Sequence, residues 1–306
     1  MLMKVRTVPE ELQILRALNY RKLLSNKDKN KYINAEKGYE GECKFDEWLS
    51  PLISGKIVLN DLLLEYNNSI FQIDSLLLTT ENIILFEVKN FEGDYYINGS
   101  EWYSMKGKVI NNPLHQLHRN TVLLRGLLNE SGLKLQIEPQ LIFMNPLFQL
   151  YQAPIEPPII FPNQLIRYRA ILKKDRSFIN DKMKKIAKHL LSLHLDKNPN
   201  SRSPKYHYNE LQKGTICPSC HQMYRELTKT ILVCGSCGGT EHYEPAILRT
   251  IADHQLLFPD KKITTDEIHQ WSGKTVSKIT IRKLLNKNFK QVKCGPSTYY
   301  EIRVQT

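Results

Sequence analysis

Residues 70–90 read IFQIDSLLLTTENIILFEVKN. Two apolar runs, 70–79 and 82–90, flank a polar break at Thr80 and Glu81, which is the pattern of two extended strands joined by a tight turn. If the turn closes there, Thr79 lies opposite Asn82 and, counting outwards, Asp74 faces Glu87. Side chains alternate along a strand, so Glu87 and Lys89 share a face while Phe86 and Val88 point the other way. An Asp, a Glu and a Lys therefore converge on a largely apolar sheet.

Further strands are read in KIVLNDLLLEY (56–66) and QLIFMNP (140–146), and helical spacing of Leu, Ile and Val in 113–130 and 179–194. Strands set between helices from 36 to 195 predict a mixed α/β domain. The stretch YQAPIEPPIIFPNQL (151–165) interleaves prolines with Ile, Leu and Phe and reads as an ordered loop holding a short strand. Residues 1–35 read as a charged leading helix, and the polar, proline-bearing 196–212 reads as a linker. Two small units follow, 213–245 and 246–306.

At 306 residues, with 41% hydrophobic and 24% charged, the chain has the apolar content for a packed core and is not a disordered tail. It shows no apolar run of the ~18–20 residues a membrane span needs and no signal-peptide core in its first thirty residues, so a soluble, cytoplasmic protein without membrane partners is expected. A formal net charge of +12 favours polyanionic partners.

Two opposed carboxylates on an apolar sheet repel each other and are costly to desolvate, and a divalent cation offsets both terms. Hard, oxygen-seeking Mg²⁺ or Mn²⁺ suits Asp74, Glu87 and the Val88 carbonyl. Such an ion can take a phosphodiester oxygen, stabilise a pentacovalent phosphorane and acidify an attacking water. Lys89 would orient that water or neutralise phosphoryl charge. The competing reading is an ordinary amphipathic hairpin with both acids on its solvent face.

Two flanking helices add to the constellation. In KGYEGECKFDEWLSPL (37–52), Glu42 heads an apolar stripe of Phe45, Leu49 and Leu52, with Glu40 as the alternative acid. In NNPLHQLHRNTVLLRGLL (111–128), Pro113 suits a first turn and Gln116 lies beside the Leu117 and Leu124 stripe, able to orient phosphate or water. His115 and His118 read as surface histidines.

The order Gly38-xxx-Glu42, Asp74, Glu87-x-Lys89 and Asn112–Gln116 (NPLHQ) resembles the nuclease-related domain, NERD, a branch of the PD-(D/E)xK nuclease superfamily. The segment KNFEGDYYINGSEWY (89–103) is similar to that family's strand region after the catalytic lysine. The resemblance covers about 36–150, extending to 195. It implies a restriction-endonuclease-like mixed sheet flanked by helices, metal-dependent phosphodiester hydrolysis, and active-site roles for Glu42, Asp74, Glu87, Lys89 and Gln116. Ile73 stands where many members of the superfamily have proline.

Six cysteines are present, at 43, 217, 220, 234, 237 and 294. CPSC (217–220) and CGSC (234–237), thirteen residues apart, are two knuckles suited to one tetrahedral ion. Four thiolates close the coordination sphere, so the expected Zn²⁺ is structural, with rubredoxin-type iron or disulfides as the alternatives. Gly235, Gly238 and Gly239 supply backbone freedom, and the unit resembles a zinc ribbon.

Residues 261–306 carry ten Lys or Arg against three Asp or Glu. TTDEIHQWSG reads as a capped helix ended by Gly273, and TVSKITIRKLLNKN as a second helix with Ile279, Ile281 and Leu285 facing a core. FKQVKCGPSTYYEIRV reads as a hairpin around Gly295 and Pro296. The sequence resembles a winged helix-turn-helix, with Lys274, Ser277, Lys278, Thr280 and Lys283 as candidate nucleic-acid contacts. The whole reads as a metal-dependent nuclease of bacterial type with a zinc ribbon and a DNA-binding end. The alternatives are a nuclease-like protein that binds nucleic acid without cutting, and a nuclease whose C-terminal part docks a protein.

Overall fold

A computed structural model describes residues 1–154, 158–199, 204–294 and 297–303. The chain divides into two compact units, one of Met1–Val8 and Asn34–Ser201, the other of Pro9–Ile33 and Arg202–Thr306. Strands are β1 (Leu2–Lys4), β2 (Ile57–Tyr66), β3 (Ser69–Leu78), β4 (Asn82–Lys89), β5 (Gly93–Asn98), β6 (Glu101–Ser104), β7 (Val109–Ile110), β8 (Gln136–Phe143), β9 (Phe148–Tyr151) and β10 (Ile159–Ile160) in the first unit. Its helices are α2 (Asn26–Leu49), whose first residues fall in the other unit, α3 (Pro113–Glu130), α4 (Leu165–Lys174) and α5 (Asp181–Ser192). The second unit holds α1 (Glu10–Arg21), β11 (Glu226–Thr228), β12 (Ile231–Val233), β13 (Thr240–His242), α6 (Tyr243–Leu257), α7 (Thr265–Trp271), α8 (Lys278–Asn288), β14 (Phe289–Cys294) and β15 (Ser297–Ile302).

In the first unit, a six-stranded sheet runs in the order β1-β2-β3-β4-β8-β10. β2, β3 and β4 are antiparallel neighbours, whereas β8 lies parallel to β4 after the α3 crossover. Both faces are covered, which is why these strands are apolar almost throughout rather than alternating. One face packs Leu76, Ile83 and Leu85 against Leu117 and Leu124 of α3 and Ile186 and Leu190 of α5. The other packs Leu77, Ile84, Phe86 and Val88 against Phe45 and Leu49 of α2 and Leu172 of α4. The mixed sheet flanked by helices is as expected, and the Glu42-headed stripe of α2 is the buried one.

A second, four-stranded sheet, β7-β6-β5-β9, is built from the region after Lys89. The loop 151–165 holds the short strand β10, with 155–157 outside the described residues.

The leading segment is not one helix. Met1–Val8 enters the first unit through β1, and α1 stops at Arg21. Ser25 then accepts from the Asp28 N–H, an N-cap that starts α2, and α2 runs on past residue 36. Within the stretch read as linker, Tyr206, Tyr208 and Leu211 pack beside Leu257 and Trp271, so this part is held by apolar burial.

In the second unit, α7 is capped by Thr264, which accepts from the Glu267 N–H, and α8 by Ser277, which accepts from the Thr280 N–H. Gly273 ends the first of these helices with φ +68°, in the left-handed region that favours glycine. Ile281, Leu284 and Leu285 of α8 are buried, but Ile279 is 70% exposed. The helical period explains that correction: Ile279 lies two residues from Ile281, away from the face that Ile281, Leu284 and Leu285 share. β14 and β15 pair from Phe289↔Ile302 to Cys294↔Ser297, and the turn at Gly295 and Pro296 lies outside the described residues.

Candidate active site and metal centre

The β3–β4 ladder has the register expected from the sequence, with Leu78 opposite Ile83 and Ser75 opposite Phe86. It stops there. The direct Asp74–Glu87 pair anticipated from the alternation does not form; instead the Asp74 carboxylate accepts the Val88 N–H at 2.7 Å. The neighbouring β2–β3 pair is irregular at the same level. Asp61 adopts φ +54°, and neither Asp61 nor Asp74 is part of the otherwise regular β2–β3 pairing. At this level the residues facing α3 change phase in both strands, from Leu59 to Leu62 and from Ile73 to Leu76.

Around this fork the predicted residues gather. Glu87 is fully buried, with Oε1 accepting from Lys89 Nζ at 2.6 Å and Oε2 from Asn120 Nδ2 at 3.4 Å. Lys89 also donates to Gln116 Oε1 at 3.2 Å, which ties β4 to the first turns of α3. Pro113 and the Asn112 cap, which accepts from the Leu114 N–H, fix where that helix begins. Asp74, Val88, Lys89, Glu42 and Gln116 line one cavity of about 700 Å³. Gly38 of the Gly38–Glu42 motif lines it too and has open space where a side chain would stand. Gly41 permits a different contact, since a Cβ there would collide with the Asn90 side chain.

Glu42 is held by a residue that sequence reasoning missed. Arg6, its side chain 3% exposed, donates from Nη1 to Glu42 Oε2 at 2.7 Å, from Nε to Asp46 Oδ2 at 2.9 Å, and from Nη2 to the Asp74 carbonyl at 2.9 Å. Nothing local to KVRTV predicts this, because the partners lie 36 to 68 residues away. Asn120 was legible in principle: it stands four residues after Gln116, on the same helical face. Glu40, the alternative acid, is exposed and paired with Lys44, and His115 and His118 are exposed.

The electrostatics follow from burial. Desolvation, then Asp74, pushes the Glu87 carboxyl up to about 8 against the pull of Lys89. Desolvation and Asp74 likewise raise Glu42 to about 7, opposed by Arg6. Asp74 is raised by burial, with Lys89 and the Val88 N–H working against it. The Lys89 ammonium loses solvation but is held above its ordinary value by Glu87 and Asp74. Three acids are thus crowded beyond what the neighbouring cations relieve, and hard oxygen donors of this kind fit a divalent cation. Among the described residues no three carboxylates come together as tightly as the four thiols described below.

Residues 37–144 match the family model of the nuclease-related domain, NERD. The matched NERD span takes in Glu42, Asp74, Glu87, Lys89 and Gln116 and leaves Arg6 outside. A NERD domain suggests a nuclease-like function, a nucleic-acid substrate and use of a divalent metal. Neither curated proteins nor solved structures give a match to the chain.

The Sγ atoms of Cys217, Cys220, Cys234 and Cys237 lie within 4.8 Å of one another. The separations of 3.8 Å (Cys217–Cys237) and 3.4 Å (Cys220–Cys234) exceed the ~2.05 Å of a disulfide and approach the ~3.8 Å edge of a tetrahedron with Zn–S of about 2.3 Å. The two knuckles are built alike. Cys217 N–H donates to the Gln222 carbonyl and accepts, through its own carbonyl, from His221 N–H; Cys234 does the same with Gly239 and Gly238. Each ends on a left-handed residue, His221 at φ +60° and Gly238 at +71°. Of the three glycines singled out from sequence, Gly238 is the one that takes a positive φ. This cluster, with the three-stranded β11-β12-β13 sheet, fits a zinc ribbon. His221 stacks on Tyr20 and His242 caps α6, so both are occupied elsewhere.

Of the five predicted contacts at the C-terminal end, Lys274, Ser277, Lys278 and Lys283 are exposed and Thr280 is half-buried. Ser277 is committed to capping α8, and Lys278 pairs with Asp266. Among the described residues no helix is long and apolar enough to cross a membrane.

Proposed function

We propose that the chain is a nuclease dependent on Mg²⁺ or Mn²⁺ that hydrolyses phosphodiester bonds, DNA being the favoured substrate. The observation that carries this reading is the fork at Ser75–Phe86, where Asp74, Lys89, Gln116 and Glu42 open onto one cavity above a buried Glu87. Asp74 and Glu87, with the Val88 carbonyl, would hold the cation, which when bound supplies positive charge at the scissile phosphate. Lys89, already between Glu87 and Gln116, would exchange one of these partners for a phosphate oxygen or an attacking water. Gln116 would orient the same water. Glu42, whose carboxyl titrates near neutrality, would accept or return a proton, with Arg6 holding it in place.

The C-terminal part is read as delivery. The order α6, a bridge between Ile263 and Tyr300, α7, α8 and the β14–β15 hairpin supports a winged-helix-like module, with Lys274, Ser277, Lys278, Thr280 and Lys283 facing nucleic acid. The zinc ribbon would be its structural neighbour. One observation favours the non-cleaving alternative: both Glu87 oxygens already have protein partners. Labelled single-stranded, duplex, nicked and branched DNA and RNA, incubated with wild type and Lys89→Ala with Mg²⁺, with Mn²⁺ and with no added metal, separate the two. Metal-dependent products lost in Lys89→Ala support cleavage; binding without products supports the alternative.

A further inference from the structure

The cavity that holds Asp74 and Lys89 is also lined by Phe91 and Tyr95. Their rings lie 5.5 Å apart, tilted by 31°, and both are half-buried, so that part of each remains uncovered. They are fixed from behind. Phe91 packs on Phe143 at 5.8 Å and Tyr95 on Phe148 at 5.7 Å, and Phe143 and Phe148 are themselves stacked at 3.8 Å in the core. Exposed Lys108 lines the same space, as does exposed Lys37, which is paired with Glu92 of the same lining. Metal-assisted hydrolysis needs the acids and Lys89; it does not need a rigid aromatic surface beside them.

An uncovered π surface next to cations is the equipment with which proteins hold an unstacked base while tracking its backbone. In an intact duplex both faces of a base are already stacked on its neighbours, and the volume of about 700 Å³ is that of a small-ligand pocket, not of a groove for a double helix. We infer that the cavity seats one unpaired nucleobase against Phe91 and Tyr95, so that the substrate class is single-stranded nucleic acid or a frayed end. This rests on the nuclease reading for its choice of ligand and deepens it.

The test is binding in buffer without added Mg²⁺ or Mn²⁺, so that no cleavage is required and the ribbon is not challenged with chelator. Short fluorescent DNA and RNA strands, the same strands carrying one abasic position moved along the sequence, and a blunt hairpin duplex are titrated with full-length wild type, Tyr95→Leu and Tyr95→Phe. One abasic position should weaken wild-type binding by roughly 5- to 150-fold, the range for loss of one stacked base. Tyr95→Leu, which keeps apolar packing on Phe148 but has no ring, should weaken binding of the intact strand similarly and leave the abasic strand unaffected. Tyr95→Phe should bind as wild type. The DNA and RNA arms say which backbone is preferred. Indifference of wild type to every abasic position, or equal losses in Tyr95→Leu on intact and abasic strands, would overturn the inference. The two readings fail separately: cleavage of blunt duplex with no abasic effect removes this one alone, and an abasic effect without any cleavage removes only the enzymatic claim.

Discussion

Two places in this chain gather groups that suit a cation, and they do so on opposite plans. The cysteine site draws four identical soft donors from 21 residues, in two knuckles with the same backbone hydrogen bonds, and leaves no coordination position free. The carboxylate site draws unlike donors from β3, β4, α2 and α3, and mixes them with Lys89 and Arg6, which compete for the same oxygens. A closed, uniform set makes the metal part of the fold. An open, contested set would leave the protein folded without the metal and keep room for a substrate. The first should therefore fail as structure and the second as chemistry.

Removing a ligand from the closed site should have the largest effect. Structural zinc contributes about 10–16 kcal/mol in small zinc-finger domains, so Cys234→Ser should lose its zinc and the amide protection of β11–β13. Metal analysis and hydrogen exchange read this out, and retained zinc with retained protection would break the contrast. Next, Lys89→Ala should keep its zinc and its fold while cleavage falls by about 10²- to 10³-fold, the usual scale for loss of one charge-stabilising group. Arg6→Ala should sharpen the picture from behind Glu42. It strips Glu42, Asp46 and the Asp74 carbonyl of a nearly unexposed partner and should cost about 2–3 kcal/mol in denaturant unfolding, reduced from the value for a fully buried pair because both acids keep some solvent.

A further expected effect is a pH dependence confined to the carboxylate site. Glu42 and Glu87 titrate at about 7 and about 8 in the folded chain, against about 4.3 unfolded. Between these values the folded state binds more protons, so their contribution to stability is complete below about pH 4, falls as pH rises from there, and is fully lost once pH has passed through 7 to 8. Melting temperature of the protein without added Mg²⁺ should fall across that window, and Glu87→Gln or saturating Mg²⁺ should flatten the slope. A slope identical in Glu87→Gln would remove Glu87 as its source.

The same contrast governs what the sequence could say. Ligands that recur at CxxC spacing are local, so the zinc-type cluster was legible in full. The β3–β4 register was legible because the polar break at Thr80–Glu81 and the apolar runs leave one pairing that buries both strands. What alternation could not supply was the end of that ladder: at the level of a left-handed Asp61 the core-facing residues of β2 and β3 change phase, and the Asp74 carboxylate bonds the Val88 N–H where a pair with Glu87 was expected. Arg6 was illegible for another reason, since its partners are brought to it only by folding. Ile279 was misplaced by hydrophobicity alone, where the 3.6-residue period would have turned it outward.

The most direct measurement counts manganese by electron paramagnetic resonance in zinc-loaded wild type and in the double variant Asp74→Asn, Glu87→Gln. Wild type should bind ions that the double variant does not bind, with the zinc content of both unchanged. Wild type that binds no Mn²⁺, or a double variant that binds as much as wild type, would contradict this.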